Sequence, residues 1–154
     1  MREIWKDVKG YETCYLISNL GNIISLGRSV KNNYNSYFKP TQYLKPVFKK
    51  NRVKNNGEVT GYYTVVLYDA SGKRVGKQHH IHRLVAEHFV DGYEDGYEVD
   101  HVDGNKLNNN YTNLEWVSSS ENRQRSYDLG LVTEIVVAGE IRKYDKETKT
   151  FKAD

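Results

Sequence analysis

Apolar positions along this chain recur mostly with a period of two, and the spacing turns helical in only two places. Cys14–Ser18 and Ile23–Leu26 read as short strands joined through Asn19-Leu20-Gly21-Asn22, a hairpin signal, and Trp5 and Tyr11 are expected to pack under it. Tyr62-Tyr-Thr-Val-Val-Leu-Tyr68 is the strongest strand of the chain, rich in β-branched and aromatic residues. Asp69–Gly72 should turn it, and Lys73–Ile81 should return beside it. From His82 to Val90 the period changes: Leu84/His88 and Val85/Phe89 are i, i+4 pairs on one helix face. Tyr97–Val102 and Leu114–Val117 then read as short strands around a polar loop, Asp103–Asn110. Ser118-Ser-Ser-Glu121 matches a capping box, in which a hydroxyl and a carboxylate satisfy the first free amides of a helix. That helix should run to about Leu129, with Gly130 as its left-handed stop. Beyond Thr133 the pattern allows one more strand or hairpin, turning at Asp145-Lys-Glu-Thr, and Arg28–Gly57 reads as a long connection with one short strand near Tyr43–Phe48. The expected fold class is α+β, a small N-terminal antiparallel β region followed by a two-strand-and-helix core. The expected divisions are residues 1–60, 61–132 and a short tail, 133–154.

Composition narrows the class. A chain of 154 residues with 38% hydrophobic content and a mean hydropathy of −0.78 supports one domain with a small core and a wet surface. Its 13 tyrosines supply apolar area with a hydrogen-bonding tip, which suits half-buried strands and polar interfaces. No apolar run approaches the ~20 residues of a membrane span, and Met1-Arg-Glu-Ile-Trp-Lys-Asp lacks the apolar stretch of a signal peptide. Cys14 is the sole cysteine, so neither an intramolecular disulfide nor a thiolate zinc site can form. The expectation is a soluble protein of a reducing compartment, with no membrane partner.

Net charge is only +3, but it is unevenly spread. From Thr13 through Gly57 there is no Asp or Glu, while Arg28, Lys31, Lys39, Lys45, Lys49, Lys50, Arg52 and Lys54 alternate with tyrosines and phenylalanines. Such a stretch fits phosphate contacts combined with stacking or groove readout; a solvated loop is the plainer alternative. Arg83, at the start of the first helix, is placed either on a phosphate or in an ion pair with Glu87.

The candidate chemistry lies between Asp100 and Asn122. Asp100 near the end of a strand offers a carboxylate to a hard divalent ion, and Asn122 in the first turn of the capped helix offers an amide oxygen to the same ion. His101 follows Asp100 on the strand and so faces the other way, where a neutral imidazole can take a proton from water. Together these groups suit a phosphodiester hydrolase. Asn113 should hydrogen-bond loop backbone and steady the His101 strand, and Trp116 should pack as core. An EF-hand reading of the Asp-Gly-Asn run fails, because Gly104 at the sixth loop position puts Val99 first and Asn110 twelfth. A zinc site from His79, His80, His82 and His101 is a further alternative.

Three blocks of the sequence resemble a known family. Trp5-Lys-Asp-Val-Lys-Gly-Tyr-Glu with Tyr15-Leu-Ile-Ser-Asn-Leu-Gly-Asn-Ile-Ile-Ser25, then Ile81-His-Arg-Leu-Val-Ala-Glu-His-Phe89, then Val99-Asp-His-Val-Asp-Gly-Asn-Lys with Asn113-Leu-Glu-Trp-Val and Glu121-Asn122, are similar to HNH homing endonucleases of phage introns. The resemblance implies a ββα-metal nuclease core behind an N-terminal nuclease-associated module. It further implies hydrolysis of DNA phosphodiesters, as a nick or a double-strand cut. Asp100 and Asn122 would then hold one divalent metal, Mg²⁺ with Mn²⁺ as the alternative. His101 would activate water and Asn113 would support the catalytic loop. DNA would be the partner of a monomer acting in the cytoplasm of a phage-infected bacterial cell. Asn122 stands where the family name has its last histidine. Related enzymes often continue into a helix-turn-helix-like module, for which Ile141–Asp154 is too short. The alternative is a non-catalytic DNA-binding or nuclease-regulating phage protein on the same scaffold.

Overall fold

The computed structural model describes residues 2–31, 34–53, 59–69 and 76–153, the side chains of Arg52 and Val53 excepted. Lys54, the Arg52 side chain and the turn expected after Asp69 lie outside the described residues. The N-terminal hairpin is present as β2 (Tyr15–Ser18) and β3 (Ile23–Ser25), with β1 (Trp5–Asp7) antiparallel on one side and β6 (Gln42–Tyr43) on the other. Trp5 is therefore a strand residue at the flank of the hairpin, edge-on to Tyr43, whereas Tyr11 packs against Tyr15 and His79.

The basic stretch departs from expectation. It is largely ordered into strands: β4 (Arg28–Lys31) pairs with β5 (Ser36–Lys39), and β7 (Val47–Val53) pairs with β8 (Val59–Tyr68), which also pairs with β9 (Gly76–His80). Every residue of β6 and three of the four in β5 are exposed, so burial imposes no alternation on the sequence there. Backbone pairing alone defines these strands, and the pattern had nothing to record it with.

Helix α1 (Ile81–Phe89) buries Leu84 and Val85 as its spacing predicts, and α2 (Ser119–Asp128) starts at the expected capping box. Gly130 ends α2 at φ +74°, a conformation glycine adopts without a Cβ clash. Between the helices lie β10 (Glu98–His101) and β11 (Leu114–Val117), antiparallel, with Asp100 opposite Glu115 and His101 opposite Leu114. The C-terminal segment is more than a hairpin: β12 (Glu134–Val137), β13 (Glu140–Asp145) and β14 (Thr150–Ala153) form a three-stranded sheet turned at Asp145, whose carboxylate accepts from Glu147 N and Thr148 N. Tyr144 and Phe151 of that sheet pack against Tyr127 of α2, Tyr144 tilted and Phe151 edge-on. No helix among the described residues is long and apolar enough to cross a membrane.

One apolar core joins the N-terminal strands to the second half: Val8, Tyr15, Ile17 and Ile23 pack with Val65, Leu67, Ile81, Leu84, Val85 and Leu114. This matters for the site. Gly21, at φ +87°, brings the hairpin turn so close that a Cβ there would lie 3.1 Å from Asn109 Cβ and 3.2 Å from Ile81. Asn19 O accepts from Tyr111 N at 2.9 Å. The N-terminal hairpin thus braces the loop between β10 and β11 from below.

Candidate active site

Strand β10, the first turns of α2 and the β10–β11 loop enclose an open cleft of about 350 Å³, lined by Glu98, Asp100, His101, Lys106, Asn122 and Arg123 among others. Asp100, His101 and Asn122, separated in sequence, therefore share one cavity. Alternation along β10 puts Glu98 and Asp100 on one face and turns the His101 ring into the protein.

The Asp100 side chain is 14% exposed, and Arg125 of α2 places Nη1 3.4 Å from its Oδ2 and 2.6 Å from Glu115 Oε2. Asp100 and Glu115 are cross-strand neighbours, a pairing of like charges that Arg125 offsets. Asn122 Nδ2 donates to Glu98 Oε2 at 2.8 Å. A carboxylate only accepts, so the nitrogen must face Glu98 and the amide oxygen is the end left to the cleft. Hydrogen bonds from Asn122 and then Ser119 hold the Glu98 carboxyl below its ordinary range.

His101 is buried, with Nε2 3.3 Å from Asn109 Oδ1. The amide oxygen accepts, which puts the ring proton on Nε2 and leaves Nδ1 as the basic nitrogen. Burial pushes the His101 imidazole below its ordinary pKa, against the opposing pull of Asn109 and of the Asp100 and Asp103 charges. Its ring meets His82 edge-on at 5.2 Å, and His82 in turn lies against Tyr62 at 4.7 Å. His82 is pushed down to about 3, first by burial and then by His101 and His80. The His82–His101 pair at the back of the cleft is therefore uncharged at neutral pH.

Asn113 sits where the sequence puts it, at the closing end of the loop. Its Oδ1 accepts from Asp103 N at 3.1 Å, and its Nδ2 donates to Asp103 Oδ1 and Asn108 O, both at 2.9 Å. These bonds tie it to the β10–β11 loop, and it is not among the residues that line the cleft. Trp116 is half-buried, donating its indole N–H to Val90 O at 3.2 Å beside Tyr93.

The basic candidates divide. Arg28 is engaged within the chain: its guanidinium turns to Cys14 O, Leu26 O, Ser25 Oγ and Tyr15 OH and lies over the Tyr15 ring at 4.7 Å, so it fastens β4 to the N-terminal sheet. Lys31, Lys45, Lys49 and Lys50 are exposed, with Lys49 reaching Gln78 Oε1 at 3.0 Å. Arg83 is exposed and makes no ion pair with Glu87 among the described residues; its charge instead acts on Glu98. Besides Arg123 on the cleft wall, four residues at the site carry no role in the sequence analysis: Glu98, Lys106, Asn109 and Arg125. Lys106 holds Nζ 4.8 Å over the Tyr62 ring at the cleft. Of the four, only Glu98 had a legible signal, two residues before Asp100 on the same strand face.

The zinc reading is overturned. Among the described residues no three His, Cys, Asp or Glu side chains are grouped to hold a metal. His79 points away from His80 and His82, to Tyr11 OH at 3.0 Å. Asp100 and Asn122 offer two oxygen donors, a set that fits a hard ion which keeps waters and takes the rest of its shell from phosphate.

Residues 79–124 match the HNH endonuclease family, and residues 3–68 match the NUMOD4 motif. The chain is 40% identical to DNA endonuclease I-HmuI of Bacillus phage SP01 over 126 residues, 82% of this chain and 59% of the phage protein. It is 36% identical over 138 residues to an uncharacterized HNH endonuclease of Acanthamoeba polyphaga mimivirus, covering 85% of this chain and 28% of that protein. The solved structure of I-HmuI, described as DNA binding and cleavage by an HNH homing endonuclease, superimposes with a TM-score of 0.61 at 37% identity, over 84% of this chain and 60% of that one. The chain thus spans under two thirds of the length of these relatives.

Proposed function

We propose that this chain is a metal-dependent endonuclease of the homing type that hydrolyses DNA phosphodiester bonds, a reading supported by the match of residues 79–124 to the HNH endonuclease family and of residues 3–68 to the NUMOD4 motif. The observation that carries the reading is the single cleft on which Asp100, His101 and Asn122 converge. The likeness to I-HmuI, a protein that binds and cleaves DNA, supports DNA as the substrate. The phage source of that relative supports a setting in the cytoplasm of an infected bacterial cell. We take the active species to be a monomer, because all three groups come from one chain.

Asp100 and Asn122 would hold one divalent ion, Mg²⁺ or Mn²⁺, through a carboxylate and an amide oxygen. Such an ion, when bound, neutralises charge on the scissile phosphate and its leaving oxygen. The rest is the work of this chain's own groups. His101 Nδ1 takes a proton from a water in the cleft while Nε2–H stays on Asn109. The hydroxide formed bonds to phosphorus, the P–O bond to the leaving sugar oxygen breaks, and that oxygen gains a proton from solvent. The depressed pKa of His101 keeps it neutral, the form able to accept. Asn113 keeps the loop closed behind it, and Lys106 and Arg123 on the cleft wall are cations available to phosphate. Exposed Lys31, Lys45, Lys49 and Lys50 would add sequence-independent affinity.

Supercoiled plasmid incubated with the protein and Mg²⁺, with and without chelator, tests the reading. Nicked circles that require the metal are expected, and linear product would mean that both strands are cut. Intact plasmid under every metal condition, with DNA still bound, would replace this reading with a non-catalytic DNA-binding role.

A further inference from the structure

The cleft contains a second carboxylate that the chemistry above leaves unused. Glu98 is on the same face of β10 as Asp100, yet both of its oxygens are engaged by the first turn of α2. Oε1 accepts from Ser119 Oγ at 3.0 Å and Oε2 from Asn122 Nδ2 at 2.8 Å. Ser119 and Asn122 are three residues apart and so share one helix face. An asparagine amide presents nitrogen or oxygen with nearly the same shape, and only its partners decide which end points where. If the amide turned over, its oxygen would face the Glu98 carboxylate, two acceptors without a proton between them, and an NH₂ group would face the ion.

We propose that Glu98 is a positioning residue that fixes the Asn122 side chain with its oxygen toward the metal, and is not itself a ligand. The proposal rests on the reading of Asp100 and Asn122 as the metal-holding pair. Partners of this kind typically alter metal affinity about 10–100-fold when removed. Glu98→Ala should therefore raise the Mg²⁺ concentration needed for half-maximal nicking by about tenfold or more. Glu98→Gln should stay close to the parent protein, because its carbonyl can still accept from Asn122 Nδ2 while its NH₂ faces the Ser119 hydroxyl. A ligand role predicts the opposite for Gln, since a charged donor would be lost.

Two measurements separate the outcomes. The first is a double-mutant cycle: in an Asn122→Ala background, Glu98→Ala should no longer change the Mg²⁺ dependence. The second does not depend on activity. The Asn122 side-chain amide, identified in a ¹⁵N spectrum by its loss in Asn122→Asp, should shift and exchange faster with solvent in Glu98→Ala. In the parent protein it should broaden when Mn²⁺ is added, and broaden less in Glu98→Ala at equal Mn²⁺. A Glu98→Ala effect that persists in the Asn122→Ala background, a Glu98→Gln protein as impaired as Glu98→Ala, or an unmoved amide signal would each overturn the proposal. Failure of the parent protein to nick with any metal would instead overturn the function it rests on. Should Glu98→Ala not fold, Glu98→Gln and the Mn²⁺ broadening of its Asn122 amide still decide between positioning and ligation.

Discussion

The cleft around β10 and the basic strands β4 to β7 are built on opposite plans. In and behind the cleft, polar side chains have specified partners: Asn109 on His101, Arg125 on Asp100, Glu98 on Asn122, Asn113 on the loop. Along β5 to β7, Tyr37, Phe38, Tyr43, Lys45, Lys49 and Lys50 are exposed. The first plan sets positions to a fraction of an ångström, as proton transfer requires. The second sets only charge and its approximate location, which is all that phosphate attraction requires. A single substitution should therefore be severe in the cleft and mild on the strands.

His101→Ala makes the most demanding test of that contrast. Removing a general base typically costs about 10²–10⁴-fold in rate, while no phosphate contact on the basic strands is touched. Cleavage should fall by about three orders of magnitude, with DNA affinity within a factor of about two, as read by nicking and by gel shift. The depressed pKa of His101 adds a second expectation: the parent protein's rate should persist to lower pH than an ordinary imidazole allows. Full cleavage by His101→Ala would take this residue out of the chemistry.

Asn113→Ala probes the same region through stability. The buried amide makes the hydrogen bonds to Asp103 N, Asp103 Oδ1 and Asn108 O, each worth about 1 kcal/mol net, so a loss of roughly 2–3 kcal/mol is expected in urea unfolding. A loss under about 0.5 kcal/mol would mean that the loop holds its shape without Asn113.

What the sequence could and could not convey follows the same division. β10, β11 and α2 were legible because their signals are local: alternation over four residues, a capping box, a glycine stop. Asp100, His101 and Asn122 were legible as types at suitable places on those elements. The inward contacts of Arg28 were not legible because such a guanidinium looks, in sequence, like any other cation in a basic stretch, and its partners Cys14 O and Tyr15 OH are set by folding. Asn109 and Arg125 were missed for a related reason: their partners lie 8 and 25 residues away and become neighbours only once the loop and helix pack. Strand β5 was missed, and β6 and β7 were anticipated only as one short strand near Tyr43–Phe48, because exposure on both faces of β5 and β6 leaves no period to read.

Acid should act on the molecule through His82, buried behind the cleft against His101. His82 is held down to about 3 by burial, whereas in the unfolded chain it titrates near ~6.5. The unfolded state therefore binds the proton first. The stability His82 confers is complete above pH ~6.5 and is lost progressively as pH falls from there toward its folded value. Between pH 7 and 5 the loss should be about 2 kcal/mol, visible as a lower unfolding midpoint, and His82→Phe should flatten it. A midpoint equally steep in His82→Phe would assign the acid sensitivity to other groups.

The smallest effects belong to the basic strands, and there the number of substitutions should matter more than their identity. Lys45, Lys49 and Lys50 are exposed, with Lys49 bonded to Gln78 of β9. Changing one to Gln should weaken DNA binding only a few-fold, because one counterion-releasing contact among several is lost. Changing all three should lower the slope of log affinity against log salt by about 0.9 for each phosphate contact removed, equally for unrelated DNA sequences. Cleavage at saturating DNA should be unchanged, since none of the three reaches the cleft. An unaltered salt slope would strip these strands of a DNA role. A large effect from a single lysine, confined to one DNA sequence, would mean that this surface also depends on exact placement and that the contrast with the cleft is one of degree.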